Sequence, residues 1–425
     1  MKRLWELFKK DNNAEASDQS TKEESNQQNT IPPFSPDNQA FVDNPYPTYA
    51  WLRKNEPLFR SQHGAWVLTR FEDINNALTD PRLGNTPSPY AVVNQRNAER
   101  YVCAELANNI LPFMDSPKHD EPRKLIGRAF RSHIKDHPPP IESIANQLID
   151  AHWQKGELDL IGDFGTPLSL TIFGEIFGIP EPDLPQLLKW SEWFFYLFSV
   201  IPSEKIRQQL DIELGNFRDY FSKLIQLRKQ TPGEDVLSQL IQANDTPLCL
   251  SFAELVDTAI LIFADGVENI DSAIANSVRV LLQHPQQLQA LYVDHSLIPL
   301  AVDECLRFDP PAQFIARVAQ QDLVMHGQSI RKNAGVLLVL ASANRDSSQF
   351  QNGDTFNIHR TEKGHLGFGR GRHSCIGGPL VKTHVEVALQ VLLTHTTNLQ
   401  LKNQPVQWKN RFGHRWLKQL TVLFS

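Results

Sequence analysis

The sequence predicts a mainly helical protein with a small β portion. From Ile141 onward, apolar residues recur every three to four positions, as they do on the buried face of a helix. Runs with the composition of β-strands are short and lie before and after this helical region. The chain has 425 residues, and no Gly/Ser-rich linker divides its body. Together these observations favour one α-rich domain over residues 31–425.

The composition argues against several classes of protein. The formal net charge is −6, so no overall basic field points to nucleic acid as a partner. The four cysteines form no CxxC pair, which argues against a structural zinc site and a disulfide scaffold. They are Cys103, Cys249, Cys305 and Cys375. A reducing, cytoplasmic environment therefore fits the sequence.

The first 30 residues are expected to form a disordered leader. They begin MKRLWELFKK and continue as a polar run rich in Asn, Gln, Ser and acidic residues. The apolar stripe of Leu4, Trp5, Leu7 and Phe8 is too short to span a membrane and has no cleavage site for export. A frayed tail is the expected state, and contact with a membrane surface or a partner is the alternative. No other window is apolar for long enough to predict integral membrane association.

The β-strands are predicted from the early and late parts of the chain. Two short β-like runs lie at residues 57–62 and 66–70, after proline-rich sequence. Helical spacing dominates the middle of the chain. Strand-like segments return at residues 323–325 and 336–341. The sheet portion is therefore expected to be small.

A glycine-rich loop, GFGRGRHSCIGG at residues 367–378, surrounds one cysteine with basic residues. It lacks the third glycine of a dinucleotide fingerprint and the Gly-Lys-Ser/Thr of a Walker loop. A structural cysteine usually lies in an apolar element, whereas Cys375 has Arg370, Arg372 and His373 as neighbours. Cations, close backbone N–H groups and the start of the following helix are expected to lower the pKa of this thiol or support its anion. Such a sulfur could be a nucleophile or a metal ligand.

A second motif, Glu304-Cys-Leu-Arg307, puts a carboxylate and a guanidinium side by side on one helix face. Taken alone, such a pair is usually a solvated surface bridge that contributes little to stability. Its place in the chain is informative, because Arg317, a strand-like segment and the cysteine loop follow it in that order.

This order of motifs resembles the cytochrome P-450 superfamily, the haem-thiolate monooxygenases. The similar segments are His119-x-x-x-Arg123, Glu304-x-x-Arg307 and Phe368-Gly-x-Gly-x-His-x-Cys-x-Gly377. The resemblance extends from about Asn44 to the C-terminus. It implies the fold of that family, in which a long central helix lies over haem and a cysteine loop lies on the proximal side. Residues 31–425 would then be a single haem-thiolate catalytic domain.

By this resemblance, Cys375 is the axial ligand of the iron of haem b, and its thiolate favours cleavage of the O–O bond. The loop residues implied to contact the haem are Phe368, Gly369, His373 and Gly377. The residues at the positions that bind the haem propionates are His119, Arg123, Arg317 and His373. Together these four are expected to supply more positive charge than two propionates carry. Glu304 and Arg307 are implied to hold the fold together near the proximal side.

Oxygen activation is expected on one unusually long helix. This helix begins at a capping box, Ser251-Phe-Ala-Glu254, and runs to His284, just before Pro285. At 1.5 Å per residue it spans about 50 Å, enough to cross the whole molecule.

The middle of this helix is the candidate catalytic segment, consisting of Asp265, Gly266, Glu268 and Asn269. A glycine inside a helix costs about 1 kcal/mol relative to alanine, so either the site tolerates Gly266 or something approaches the backbone closely there. An ordinary solvent-facing stripe is the simpler explanation. We favour a dioxygen pocket, because apolar sequence flanks these polar residues.

The sequence departs from the family pattern in this segment. Asn269 stands where threonine is usual, and an amide cannot relay a proton easily. The resemblance therefore implies Glu268 as the acid of the proton relay and Asn269 as an oxygen-side hydrogen-bond donor.

Electrons are expected to come from a separate protein, because nothing in the chain resembles a flavin or iron–sulfur domain. A ferredoxin or flavodoxin, reduced by NAD(P)H through its reductase, is implied as the partner. The expected docking side carries Arg370, Arg372 and Lys382.

The implied substrate is a hydrophobic small molecule, such as a terpenoid, a fatty acyl chain, an aromatic or a polyketide-like compound. The residues at the family's pocket positions are Ile262, Phe263, Gln313, Phe314, Trp416 and Leu417. An aromatic run at residues 190–198 either lines this pocket or packs between helices.

Three functional classes remain open at this stage. A monooxygenase that takes two electrons and inserts one oxygen atom is the leading interpretation. A peroxide-driven haem enzyme is the second, because Asn269 replaces threonine. A non-catalytic haem-based ligand sensor is the third, and Glu268 argues against it.

Overall fold

The computed structural model describes residues 34–36, 38–200, 203–244 and 250–425. The predicted leader at residues 1–30 lies outside the described residues. Within the described ranges, no helix combines the length and the apolar composition that crossing a membrane requires.

Helices form most of the described chain, which confirms the predicted fold class. The α-helices are α1 Gln39–Asp43, α2 Tyr46–Asn55, α3 Phe71–Ala77, α4 Val102–Asn108, α5 Asp120–Asp136, α6 Ile141–Asp150, α7 Thr166–Phe177, α8 Leu184–Phe194, α9 Glu204–Gln230, α10 Val236–Ala243, α11 Phe252–Leu282, α12 Pro285–Val293, α13 Ile298–Phe308, α14 Leu340–Ala343 and α15 Gly378–His395. A π-helical turn, Leu160–Gly165, leads directly into α7.

The strands are short, as predicted, and most of them come from the two ends of the chain. They are β1 Leu58–Arg60, β2 Trp66–Leu68, β3 Leu83–Gly84, β4 Glu157–Asp159, β5 Ile315–Ala319, β6 Leu323–Met325, β7 Gln328–Ile330, β8 Gly335–Leu338, β9 Leu399–Leu401, β10 Gln407–Trp408, β11 Leu417–Gln419 and β12 Thr421–Phe424. The segment predicted as a strand at residues 336–341 is a strand only at its start, because the chain turns into α14 after β8.

The largest sheet joins strands that are far apart in the sequence. Its order is β1-β2-β8-β5-β3, with β2 parallel to β8 and the other neighbours antiparallel. A second sheet has the order β4-β12-β9, and β6–β7 and β10–β11 are hairpins. The β10–β11 hairpin lies near the C-terminus, and β11 contacts α11.

The long helix α11 is the centre of the molecule. Its capping box is present, because the Ser251 hydroxyl accepts from the Glu254 N–H while the Glu254 carboxylate accepts from the Ser251 N–H. At 31 residues it is close to the predicted length, and α12 begins at Pro285. Helices α7, α8, α9, α13 and α15 all pack against it. The largest hydrophobic core forms around this helix, and a smaller core lies against the five-stranded sheet.

Candidate functional site

The cysteine loop holds Cys375 at the N-terminus of α15. The Cys375 N–H donates to the carbonyl of Phe368 at 2.9 Å, and the Gly369 N–H donates to the carbonyl of Leu366 at 2.8 Å. Gly369 and Gly371 have φ angles of 65° and 75°, in the left-handed region that favours glycine. The glycines of this motif therefore shape the turn that positions the sulfur.

The thiol of Cys375 has a pKa raised to about 12, and the expectation of a lowered pKa was wrong. Burial is the largest cause, and the carboxyl group of Asp265 adds to it. The backbone N–H groups of Gly377 and Gly378 and the guanidinium of Arg123 act in the expected direction, but burial outweighs them. A thiolate at this position therefore depends on a further positive charge, such as a metal ion bound to sulfur.

Cys375 keeps accessible surface inside the fold, close to the middle of α11. Protein atoms surround Cys375 on nearly every side, yet the residue keeps accessible surface. Asp265, in the middle of α11, is likewise surrounded by protein atoms but keeps accessible surface. The Asp265 carboxyl also raises the pKa of the Cys375 thiol, so the two side chains lie within range of each other's charge. The candidate catalytic segment is therefore close to the cysteine loop.

Asn269 is bound to Asp265 one turn earlier in the helix. Its Nδ2 atom donates to Oδ1 of Asp265 at 2.8 Å and to the Asp265 carbonyl oxygen at 3.3 Å. Burial raises the pKa of Asp265 to about 6, and the hydrogen bond from Asn269 opposes this rise. In the structure the Asn269 amide donates to Asp265, and its predicted role as an oxygen-side donor stays a prediction.

Glu268 is a buried carboxyl group with 3% of its surface exposed. Burial is the largest cause that raises its pKa to about 7, while Lys409 on the C-terminal hairpin lowers it. The carboxylates of Asp271 and Glu192 add to the rise. A carboxyl group with this pKa can give and take a proton near neutral pH, as a relay acid must.

Gly266 is needed for packing against α7. A β-carbon at this position would lie 2.0 Å from Cζ of Phe173. The sequence left open whether something approaches the backbone here, and the structure shows that a phenylalanine ring does. The catalytic assignment of Gly266 remains a prediction, but packing already explains why glycine occupies the site.

The four predicted propionate-binding residues lie near the cysteine loop. The rings of His119 and His373 are 4.1 Å apart, and Asn85 Nδ2 lies 2.8 Å from His373 Nε2. Arg123 donates to the carbonyl of Ser374, the residue before Cys375.

These residues carry less positive charge than the sequence suggested. Burial and the nearby His119 and Arg317 lower the pKa of His373 to about 3, and burial lowers that of His119. Both histidines are therefore neutral at pH 7, which leaves the guanidinium groups of Arg123 and Arg317. Arg317 is 5% exposed and forms no ion pair within the part of the chain that the structure describes.

These residues fit a haem with two propionates. Two arginines match two carboxylates, and Nε2 of the buried His119 has no hydrogen-bond partner in the described ranges. Within those ranges, no group of three His, Cys, Asp or Glu side chains could hold a metal ion. The Cys375 sulfur, next to these arginines, would hold the iron of such a haem.

Glu304 and Arg307 form a buried pair, as their spacing predicted. Nε and Nη2 of Arg307 donate to the two carboxylate oxygens at 2.6 and 2.8 Å, and both residues are nearly inaccessible. The sequence did not reveal a third member, Arg360, whose Nε lies 3.2 Å from Glu304 Oε2. Arg307 also donates to the carbonyls of Gly353 and Thr355, so the cluster holds the segment before the cysteine loop in place.

The six residues predicted to line a substrate pocket occupy different environments. Ile262 is half-buried, whereas Phe263 has no exposed surface and packs in an aromatic cluster with Phe173 and Phe177. The remaining four are almost fully buried: Gln313 4%, Phe314 6%, Trp416 1% and Leu417 1%. The structure therefore gives Phe263 a role in the core rather than on a pocket wall.

The predicted docking surface is basic, but not every residue predicted to lie on it contributes positive charge. Lys382 forms an ion pair with Asp303 of α13, so its charge is neutralised. Arg370 donates to Asn75 at 2.5 Å, and Arg372 is exposed. The sequence reasoning missed a stripe of exposed basic residues on α5, namely Lys124, Arg128, Arg131 and Lys135, of which Lys124 is paired with Glu121. Their spacing of four, three and four residues places them on one helix face and could have revealed them.

Comparison with known proteins gives concordant matches. A family model described as Cytochrome P450 matches residues 294–412. The biotin biosynthesis cytochrome P450 of Bacillus subtilis (strain 168) is 33% identical over 390 residues, which cover 91% of this chain and 97% of that protein. The crystal structure of P450BioI with hexadec-9Z-enoic acid ligated acyl carrier protein has a TM-score of 0.83 and 32% identity, over 91% of this chain and 99% of that chain. The crystal structure of CalO2 has a TM-score of 0.85 and 28% identity, and the match covers 92% of this chain and 99% of that chain.

Proposed function

This chain belongs to the cytochrome P450 family, and we propose that it is a monooxygenase that oxidises a hydrophobic acyl or polyketide-like molecule. It is a haem-dependent oxidoreductase. The observation that carries the proposal is that Cys375, in its glycine-rich loop, lies close to Asp265 in the middle of α11, and that both side chains keep accessible surface. When bound, the haem supplies the centre at which dioxygen is activated.

We assign each residue of the site a role that follows from its contacts. Cys375 would hold the iron, and the guanidinium groups of Arg123 and Arg317 would hold the propionates. Glu268 holds or releases a proton at its carboxyl group, because its pKa lies near neutrality. Asn269 keeps the carboxyl of Asp265 in place on α11.

The substrate class is inferred from the relatives and from the apolar character of the surrounding core. One similar structure holds a fatty acid ligated to an acyl carrier protein. A second relative, 30% identical over 92% of this chain, is named for polyketide biosynthesis in Bacillus subtilis (strain 168). The first of these names specifies a long, largely apolar acyl chain. We therefore propose an acyl chain, free or bound to a carrier protein, as the first substrate to test.

The electron donor is proposed to be an acidic ferredoxin or flavodoxin with an NAD(P)H-dependent reductase. The basic stripe on α5 lies on the same helix as Arg123, and Arg123 contacts the residue before Cys375. An acidic protein bound to this stripe would therefore dock close to the cysteine loop. The cytoplasmic location inferred from cysteine usage stays a prediction.

A peroxide-driven reaction is the second candidate, and the Asn269–Asp265 hydrogen bond favours it. A side chain that is engaged with a carboxyl group replaces the usual threonine hydroxyl. Turnover with hydrogen peroxide at a rate similar to that with ferredoxin and NAD(P)H would support this alternative.

The reduced, carbon monoxide-bound absorption spectrum tests haem-thiolate ligation. The wild-type protein should show the spectrum of a thiolate-ligated haem, and Cys375→Ala should lose it. Cys305→Ala is the matched control, because Cys305 is buried in the core near Ser277 and should leave the spectrum unchanged. A wild-type spectrum that survives Cys375→Ala would contradict the proposal.

Substrate class is tested by the spectral change of the ferric protein when hexadec-9Z-enoic acid is added, free or attached to acyl carrier protein. A saturable change with either form, followed by a hydroxylated product in the presence of ferredoxin and reductase, supports an acyl substrate. Absence of both, with a functional haem spectrum, would contradict it.

A further inference from the structure

Glu268 belongs to a cluster of buried charge that joins α11 to the C-terminal hairpin. Asp271, one turn further along α11, is buried beside it, with 4% of its surface exposed. Lys409 directly follows β10 and brings its Nζ within 3.9 Å of Glu268 Oε2. The Lys409 N–H donates to the carbonyl of Trp416 at 2.7 Å, which fixes the base of the lysine side chain. A single lysine thus connects the hairpin to both carboxyl groups.

The two carboxyl groups are held differently. Asp271 accepts hydrogen bonds from Thr166 Oγ1 at 2.8 Å and from Ser272 Oγ at 2.9 Å. Glu268 receives no hydrogen bond from the residues that the structure describes. Its distance to Lys409 exceeds the roughly 2.7–2.9 Å of a charge-assisted hydrogen bond. Two hydrogen bonds therefore hold the Asp271 carboxyl in place, whereas Glu268 is attracted to the charge of Lys409 without a hydrogen bond to it.

Lys409 also reaches towards solvent. Its side chain is 27% exposed, compared with 3% for that of Glu268. The other charged groups that face it are Glu192 of α8 and Arg411 of the hairpin. Together these side chains form a polar connection from the hairpin surface to the buried end of Glu268.

The charge of Lys409 influences the ionisation of Glu268. Burial raises the pKa of Glu268 to about 7, while Lys409 lowers it; Asp271 and Glu192 raise it, and Arg411 lowers it. Without Lys409, the pKa of Glu268 would rise further and the carboxyl would stay protonated at neutral pH. A group that both takes up and releases protons works best when its pKa is near the working pH.

We propose that Lys409 is a positioning residue for proton delivery. Its ammonium keeps the Glu268 carboxylate at the inner end of a polar path that leads from the hairpin surface to the middle of α11. The inference rests on the proposed monooxygenase function, in which Glu268 carries the proton.

An infrared titration of the ferric, haem-loaded protein tests this inference without substrate or electron donor. The carboxylic acid band that disappears in Glu268→Gln reports the protonation of Glu268. In wild-type protein this band should titrate near pH 7, and in Lys409→Met its midpoint should rise by about one pH unit or more. Lys409→Arg keeps the positive charge and should restore a midpoint within about half a unit of wild type.

Lys418→Met is the matched control, because Lys418 is an exposed lysine on β11 of the same hairpin. It should leave the midpoint unchanged. An unchanged midpoint in Lys409→Met, or an equal shift in Lys418→Met, would overturn the inference. If Lys409→Met does not bind haem, Lys409→Gln replaces it in the comparison. Failure of the proposed function would appear separately, as a missing haem-thiolate spectrum or missing product with a normal titration.

Discussion

The ring of Phe173 lies directly against the backbone of Gly266, where a β-carbon would stand 2.0 Å from the ring. Phe173 is 2% exposed and packs against Phe177 and Phe263, with ring centroids 6.4 Å away in both cases. Because these neighbours are themselves buried, the ring has little room to move. Helices α7 and α11 can approach this closely only if residue 266 has no side chain.

Replacing Gly266 by alanine is therefore expected to destabilise the protein. Alanine gains up to about 1 kcal/mol of helix propensity, but overpacking against Phe173 costs about 1–3 kcal/mol. Urea unfolding should show a net loss in Gly266→Ala and recovery in the double variant Gly266→Ala/Phe173→Leu. Gly215, on α9, has open space around it and provides the control. Gly215→Ala should be neutral or stabilising, and a similar loss in both alanine variants would contradict the packing explanation.

Removing one charged member of the Glu304–Arg307–Arg360 cluster should strongly destabilise the protein. In Arg307→Met, Glu304 stays buried with only Arg360 as a cation, and the carbonyls of Asn344 and Gly353 lose their donor, whereas the carbonyl of Thr355 keeps Arg360. We expect a loss of about 3–5 kcal/mol in the free energy of unfolding, measured by urea denaturation. The control is Lys382→Met, which removes a more exposed ion pair with Asp303 and should cost less than about 1 kcal/mol. Equal losses in the two variants would show that the buried cluster does not stabilise the fold.

The sequence predicted those parts of the protein that local patterns determine. The capping box at Ser251 set the start of α11, and Pro285 marked where the next helix begins. The spacing of Glu304 and Arg307 was enough to place them on one face, and the structure pairs them. In each case the relevant residues are neighbours in the sequence, so the regular spacing of a helix is enough to place their side chains next to one another.

The remaining features depend on contacts between distant segments. Arg360 joins Glu304 from a loop 56 residues later, and Lys409 reaches Glu268 from another part of the chain. No local spacing signals either contact. The raised pKa of the Cys375 thiol was missed for a similar reason, because the basic neighbours are visible in the sequence whereas the burial that outweighs them is not.

Buried histidines should make the fold sensitive to acid. Burial lowers the pKa values of His365, His384 and His414 to about 4, whereas an unfolded histidine titrates near 6.5. Between pH 6.5 and 4 the unfolded chain therefore binds protons that the folded protein does not, and the free energy of unfolding falls as the pH falls. His384→Leu should reduce the loss of stability between pH 7.5 and pH 5 by about 2 kcal/mol in urea unfolding. The exposed His63 is the control, and an equal effect of His63→Leu would contradict this origin.

The basic stripe on α5 should control binding of the electron donor. Reversing charge in Arg128→Glu/Arg131→Glu is expected to raise the KM for an acidic ferredoxin about tenfold at low salt and to weaken its dependence on ionic strength. The carbon monoxide spectrum should stay that of wild type, because both side chains are exposed. Lys223→Glu on α9 is the control, since Lys223 is also an exposed lysine on a helix surface. If this variant changes KM as much as the double reversal does, docking is not specific to α5.

The hydrogen bond from Asn269 to Asp265 should determine how well electrons are coupled to product. In Asn269→Leu, Asp265 loses the side-chain hydrogen bond that lowers its pKa, so the pKa should rise above about 6. A hydrogen bond to a charged group contributes about 1.5–3 kcal/mol, so we expect the ratio of peroxide released to product formed to rise about tenfold or more.

The decisive comparison is between Asn269→Thr in two backgrounds. Alone, this substitution removes the amide donor and should also increase peroxide release, because Asp265 is left without its partner. In the double variant Asn269→Thr/Asp265→Ala, the carboxyl group that would lack a hydrogen-bond donor is absent. Peroxide release should therefore return to the wild-type level or below. The measurement is peroxide formed per NAD(P)H consumed with the same ferredoxin and substrate. Strictly additive effects of the two substitutions would mean that Asp265 and Asn269 act independently, contrary to the contact between them.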